Sequence, residues 1–473
     1  MNSLLVKFDN YLNPILVKEL RQNVRGTFFV SGLIIFLAAM TFSLFFAIGN
    51  ADDGLDWGQG EEVIKILIGS LFFGSFFVIP VYFGRKVSTE IKDKSNELMY
   101  ITTMSTESIV RGKVLCCILL ILMLYCAFTP YVALAMFLGG IDMNNLITTI
   151  LACFLASTVA VFGQLCVGLT KADGFGNIVT KVVALIIHFI LYTSIQAMAF
   201  EMLGGMMVSS RLTNVFLVAG TMSIAAVIGL DYIGYYFAVG MLSPVASNKS
   251  YKVRLIATII WAAGGLASLV YNEFSEFWFV GGIIIAIIAS VLAQVESEFY
   301  TNRIIKEIPI KFWPRLLKFP LCSGVANGFV WSFLIFLLTL VIGVYAGIPS
   351  KIWGSRTQLD EVLANTWLWY AEINAYLFIG NRIKYWFMNK HNNTVIPAVS
   401  IIAFLIIGIV IPLSLNDYKD WIFFGNPLYM IDSYRMSKES VVSLSTTFMT
   451  FAFLFWAKAF ARQIGDYFLR RGV

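Results

Sequence analysis

Few residues in this chain are equipped for chemistry, and their spacing says more than their number. His188, Tyr192 and Gln196 recur at i, i+4 and i+8 in an apolar run, stacking three polar groups on one helical stripe. Lipid penalises such a stripe, so it suits interhelical hydrogen bonding or the wall of a polar path. Glu372, with Asn374 nearby, is the one carboxylate deep in an apolar stretch. Ionised there it costs about 2.5–3.5 kcal/mol on insertion scales, so pairing or protonation is expected. It serves either a structural pair or a transport path. The two histidines, His188 and His391, are far apart, which disfavours a membrane enzyme needing clustered acids and bases at one interface. Cys116, Cys117, Cys126, Cys153, Cys166 and Cys322 have neither metal-ligand nor disulfide-framework spacing and read as small buried hydrophobes. Gly174-Phe175-Gly176-Asn177 lacks the Gly-Lys pair of a phosphate loop, and no such loop occurs elsewhere. The expectation is a non-enzyme with no catalytic residue, no metal and no cofactor of its own.

The most patterned stretch is Arg85–Lys113. It offers Glu90 just past an apolar run, then Asn96, Glu97, Leu98, Met99 and Ile101 as a short helix. Thr102, Thr103, Ser105, Ile109, Gly112 and Lys113 then lead into the next run. A docking element would expose such a mixture of polar and apolar groups; the alternative is a solvated basic loop. Near the start, Asn13-Pro14 marks a helix beginning, with Asn as cap and Pro in the first turn. Leu16, Leu20 and Val24 share one face while Lys18, Arg21 and Arg25 face away. That predicts a helix lying in a membrane interface, basic side toward anionic headgroups, or else a plain extension of the first span.

The elements that must position these residues are membrane helices. Of 473 residues, 59% are hydrophobic and 13% charged, and mean hydropathy is +0.79. A soluble domain carries about 25% charged residues. That excludes a cytosolic enzyme, a disordered chain and a nucleic-acid-binding domain, so no nucleic-acid partner is expected. A span needs about twenty mainly apolar residues. Twelve candidates follow: Thr27–Ile48, Ile66–Phe83, Val114–Leu138, Asn145–Leu169, Ile178–Phe200, Val215–Ala238, Leu255–Val270, Phe277–Leu292, Val325–Gly347, Val362–Ile379, Val395–Leu413 and Val441–Phe460. The seventh and eighth are short enough to form a re-entrant hairpin instead. The first has no small-residue cleavage site after it and reads as a retained span.

With both termini cytoplasmic, the inner segments hold 27 of the 34 basic residues and the outer segments 7, as the positive-inside rule requires. The longest gaps, both cytoplasmic, follow the second and eighth spans, which suggests a parallel six-plus-six repeat. The expected organisation is an interfacial helix over 1–26, a six-helix half over 27–240 with loop 84–113, and a second half over 241–473 with an outer segment over 414–440.

Arg85–Lys113 resembles the coupling segment of ATP-binding-cassette (ABC) export permeases of the type-two class. These typically carry Glu, a Thr/Leu-Glu-Leu-Leu-like helix, Thr-Thr-Pro-Leu-Ser and Ile-x-x-Gly-Lys. Asn96 replaces the usual Thr or Leu, and a lone Met104 the usual Pro-Leu. Asn13–Arg25 is similar to the family's interfacial helix. Asn426, Pro427, Leu428 and Arg435 match its Asn-Pro-Leu-x-x-x-x-x-x-Arg sequence before the last span. The clear coupling loop lies in the first half and the clear Asn-Pro-Leu element in the second. The second loop, with Glu296, Glu298, Arg303, Lys306, Lys311, Phe312, Trp313, Arg315 and Lys318, reads equally as a degenerate docking site or a basic membrane-surface segment.

The resemblance implies the permease subunit of an ATP-driven exporter in a prokaryotic cytoplasmic (inner) membrane. ATP and Mg would sit on a separate nucleotide-binding ATPase subunit, two copies per assembly. One chain acts as a fused pseudo-dimer or two associate, with membrane lipids and outer accessory subunits as further partners. An ion-coupled secondary transporter using Glu372 is the main rival. Scattered Ser, Thr and Gln in the spans suit lipid, peptide, polysaccharide or drug substrates alike.

Overall fold

The computed structural model describes residues 13–49, 59–92, 105–137, 139, 142–170, 175–203, 213–243, 247–270, 275–296, 299–345, 356–387, 400 and 438–469. Asn96, Glu97, Leu98, Met99, Ile101, Thr102, Thr103, His391, the Asn426–Arg435 motif and the eleventh expected span, Val395–Leu413, lie outside them. The described residues are helical, with no strand among them.

In chain order the helices are α1 (Pro14–Val24), α2 (Thr27–Gly49), α3 (Gln59–Phe72), a π-helical turn (Phe73–Val78), α4 (Ile79–Lys92), α5 (Thr106–Met136), α6 (Met143–Leu169), α7 (Phe175–Leu203) and α8 (Thr213–Leu242). They continue with α9 (Ser250–Val270), α10 (Ser275–Val295), α11 (Asn302–Glu307), α12 (Phe312–Lys318), α13 (Val325–Tyr345), α14 (Arg356–Phe387) and α15 (Lys438–Leu469). Local chemistry sets their starts. Asn13 caps α1 by accepting from the Ile15 amide, with Pro14 in the first turn, as the Asn-Pro pair predicts. Ser105 caps α5, and Asp142 caps α6.

Among the described residues, seven helices are long and apolar enough to cross a membrane. An eighth counts if Val442–Leu454 and Trp456–Phe468, bent by 66°, form one span. This is a polytopic membrane protein. The sixth and eighth expected spans fall within α8 and α10, whose described apolar stretches are Val227–Leu242 and Trp278–Gln294. The seventh, within α9, has full span length.

The chain divides into two compact units, residues 1–170 with 178–243, and residues 171–177 with 244–473. In the first, α3 is the centre: Ile64, Leu67, Ile68, Leu71 and Phe72 are each at most 1% exposed. They pack with Cys117 and Ile121 of α5 and Val161 and Leu165 of α6. In contrast, Ile34, Ile35, Phe42 and Phe45 of α2 stand outward. In the second unit α14 is the buried helix, with Leu368, Tyr370, Ala371, Asn374, Ala375 and Phe378 all at 0%. The tenth expected span, Val362–Ile379, falls on α14, which is not among the helices apolar enough to cross alone. Its polar groups, Glu372, Asn374 and Asn381, are buried within the unit.

Candidate functional site

At one end of the first unit, α1, α4 and α5 are fastened by a charge cluster. On α1, Ile15, Glu19 and Asn23 follow at i, i+4 and i+8 and are all buried. Glu19 accepts from Lys113 of α5 through Oε1 and from Lys86 of α4 through Oε2, each at 2.8 Å. Lys113 also donates to Glu90, one turn beyond Lys86. Lys86 reaches Asn23 Oδ1 at 2.9 Å, and Asn23 Nδ2 reaches Cys116 Sγ at 3.3 Å. Two carboxylates thus balance two ammonium groups. Burial raises the Glu19 pKa, but Lys113 and Lys86 more than offset this and hold the carboxyl below its ordinary value.

The same contact explains Gly112. A Cβ there would stand 3.0 Å from both Asn13 Nδ2 and Ile15 Cβ, so glycine lets α1 lie directly on α5. Asn13 Nδ2 in turn donates to the Ser108 carbonyl at 2.6 Å. Lys181 of α7 donates to Ser88 of α4 at 2.6 Å, adding a fourth helix. The sequence pattern brought Glu90, Ser105, Gly112 and Lys113 into view but gave Glu19, Asn23 and Lys86 no role. The available signal was a carboxylate placed at i+4 from Ile15 on the packing face of α1.

The three ladder residues of α7 have different surroundings. Phe76 lies in the π turn, and residue 80, which would donate to its carbonyl in an α-helix, is proline and has no N–H. His188 Nε2 donates to that carbonyl at 2.8 Å while its ring stacks on Phe76 at 4.8 Å. His188 therefore repairs a backbone defect. Tyr192 is buried among Phe72, Phe73 and Phe77 and hydrogen-bonds Gln196. Both line a cavity of about 790 Å³. Glu372 is 1% exposed, and neither carboxylate oxygen has a hydrogen-bond partner among the described residues. Asn374, by contrast, bonds Ser290 at 2.9 Å.

The second unit holds a polar node that joins Glu296 of the second loop to Arg254, a residue that sequence reasoning did not single out. Arg254, in the first turns of α9, is 4% exposed. It donates to the Pro320 carbonyl at 3.1 Å, to the Cys322 carbonyl and to Glu296. Glu296 also accepts from Ser250 Oγ at 2.6 Å and from the Gly324 amide at 2.5 Å. Gly324 has φ +148°, and a Cβ there would stand 2.4 Å from Gln463 Nε2. Burial pushes the Cys322 thiol up, keeping it protonated. The legible signal was an arginine one residue before an expected span. Beside this node Ile310, Phe312, Trp313 and Leu317 of the 302–318 segment are exposed.

No protein-family model, no curated protein and no solved structure matches this chain.

Proposed function

We propose that this chain is the membrane-spanning permease subunit of an ABC exporter of the type-two class. It has twelve spans in two related halves and both termini in the cytoplasm of a prokaryotic cell. The ATPase is a separate partner chain present in two copies. The observation that carries the reading is the clamp at both ends of segment 93–104. Glu90 lies before it and Lys113 after it, and the two are paired with each other and with α1 through Glu19. A push on that segment would move α1, α4 and α5 together, as a coupling element requires.

Each unit also holds a carboxylate at the end of an apolar helix paired with a buried cation, Glu90 with Lys113 and Glu296 with Arg254, but the two cations stand before spans that are not equivalent in a six-plus-six repeat. Purification in mild detergent, followed by mass spectrometry of the accompanying subunits, should recover a phosphate-loop ATPase. Recovery of the chain alone from native membranes would count against the reading.

A second reading, a proton-coupled secondary transporter, is favoured by Glu372 alone. A buried carboxylate with no partner among the described residues is where a carried proton would sit. Transport driven by a pH gradient without ATP, and lost in Glu372→Gln, would select it.

A further inference from the structure

The cavity beside Tyr192 is a groove between α2 and α7 over the π turn, open on one side. Phe28, Phe36, Ile66, Phe73 and Phe200 give it a mostly apolar wall, with Ser31, Ser70, Tyr192 and Gln196 as its polar residues. At about 1.5 Å per residue, Phe28 to Ala39 spans roughly 16 Å, close to half of a ~30 Å hydrocarbon core. The groove therefore has the depth of one leaflet. Its outer flank on α2 includes Ile35, 68% exposed. In a membrane-spanning helix that flank meets hydrocarbon, so a lipid chain, and not water, fills the groove.

The groove begins beside a cationic surface. Phe28 lies three residues past Arg25. Arg25, Arg21 and Lys18 line a separate cavity of about 610 Å³ on the exposed face of α1, with no acidic residue among the described residues that line it. The two cavities follow one another along the chain at the α1–α2 bend, one shaped for an alkyl chain and one charged for a phosphate. A free anion would satisfy only the second cavity and a neutral hydrocarbon only the first.

We propose that this bend is a binding site for one acidic phospholipid, its acyl chain in the α2–α7 groove and its phosphate against Arg21 and Arg25. Binding requires no ATPase, so it is independent of the transport reading and fails separately from it.

The test uses the full chain in phosphatidylcholine nanodiscs doped with a probe carrying a diazirine in its acyl chain. The probe is either phosphatidylglycerol or phosphatidylcholine, and labelled peptides are mapped by mass spectrometry. The phosphatidylglycerol probe should label α2, the π turn and α7 in excess. Each basic residue at a membrane surface contributes about fivefold in affinity. Arg21→Ser with Arg25→Ser should therefore reduce that labelling about 25-fold, toward the phosphatidylcholine level. Gly32→Trp should also remove it, since nothing lies within 4 Å of the Cβ position at Gly32 and the indole would fill the groove. Gly163→Trp, on α6 and equally unobstructed, should leave labelling unchanged. Equal labelling by both headgroups, or labelling that survives Gly32→Trp, would mean ordinary boundary lipid and overturn the proposal.

Discussion

Replacing Lys113 with Met should destabilise the first unit by about 3–5 kcal/mol, the usual cost of removing one partner from a buried ion pair. Folded proteins have only about 5–15 kcal/mol in hand, so folded yield should fall sharply. The reason lies in the charge balance. Glu19 and Lys113 side chains are each 4% exposed, and without the ammonium group the buried Glu19 carboxylate keeps Lys86 as its one remaining cation among the described residues. Adding Glu19→Gln restores neutrality with Lys86 and Glu90 still one turn apart. The double variant should therefore be more stable than Lys113→Met by itself, which fluorescence-detected size-exclusion melting can measure.

The pH dependence has a definite sign. Because the folded Glu19 carboxyl sits below its ordinary value of 4.5, its contribution is fully present above that value. It is lost as pH falls through the lower folded value. Melting of the parent should be insensitive to this group at neutral pH and weaken only in acid, and Glu19→Gln should flatten that acid limb.

Arg254→Met should cost a similar 3–5 kcal/mol in the second unit. Its guanidinium serves Glu296 and the carbonyls of Pro320 and Cys322 at once, so removal takes the cation from the partly buried Glu296 and a donor from each of the two carbonyls. Arg254→Lys should recover little, because an ammonium cannot present the planar fork that reaches all three. Gly328→Ala is an independent check, since its Cβ would stand 2.4 Å from Arg254 Nη2. Faster limited proteolysis between Phe319 and Gly324, with lowered melting temperature, is the expected readout.

These residues show what a sequence of this kind discloses. Apolar runs such as Thr27–Ile48 and Val325–Gly347 are legible because span length is a local property, and so is the Asn13-Pro14 helix start. Pairing is not local. Glu19 meets Lys113 across 94 positions, and no periodicity reports it. His188, Tyr192 and Gln196 were legible as one stripe. Their separate environments depend on Pro80 and the Phe76 carbonyl in another helix. The α14 helix was read as an ordinary span because hydropathy does not say whether a polar face meets lipid or protein. Glu90 was legible as an acidic residue just past an apolar run, and in the structure it pairs with Lys113.

On the proposed function, the segment joining α4 to α5 receives the motion of an ATPase subunit. The direct measurement is ATP hydrolysis and subunit retention by the complex in nanodiscs, for the parent and for Leu98→Asp. Leu98 is chosen because Glu90 is already engaged within the chain. Burying one leucine at an interface is worth about 1.5–3 kcal/mol, or roughly tenfold or more in affinity. Leu98→Asp should release or uncouple the ATPase while the permease melts as the parent does. An ATPase that stays bound and hydrolyses at the parent rate would contradict it, and would leave the segment as a solvated connector.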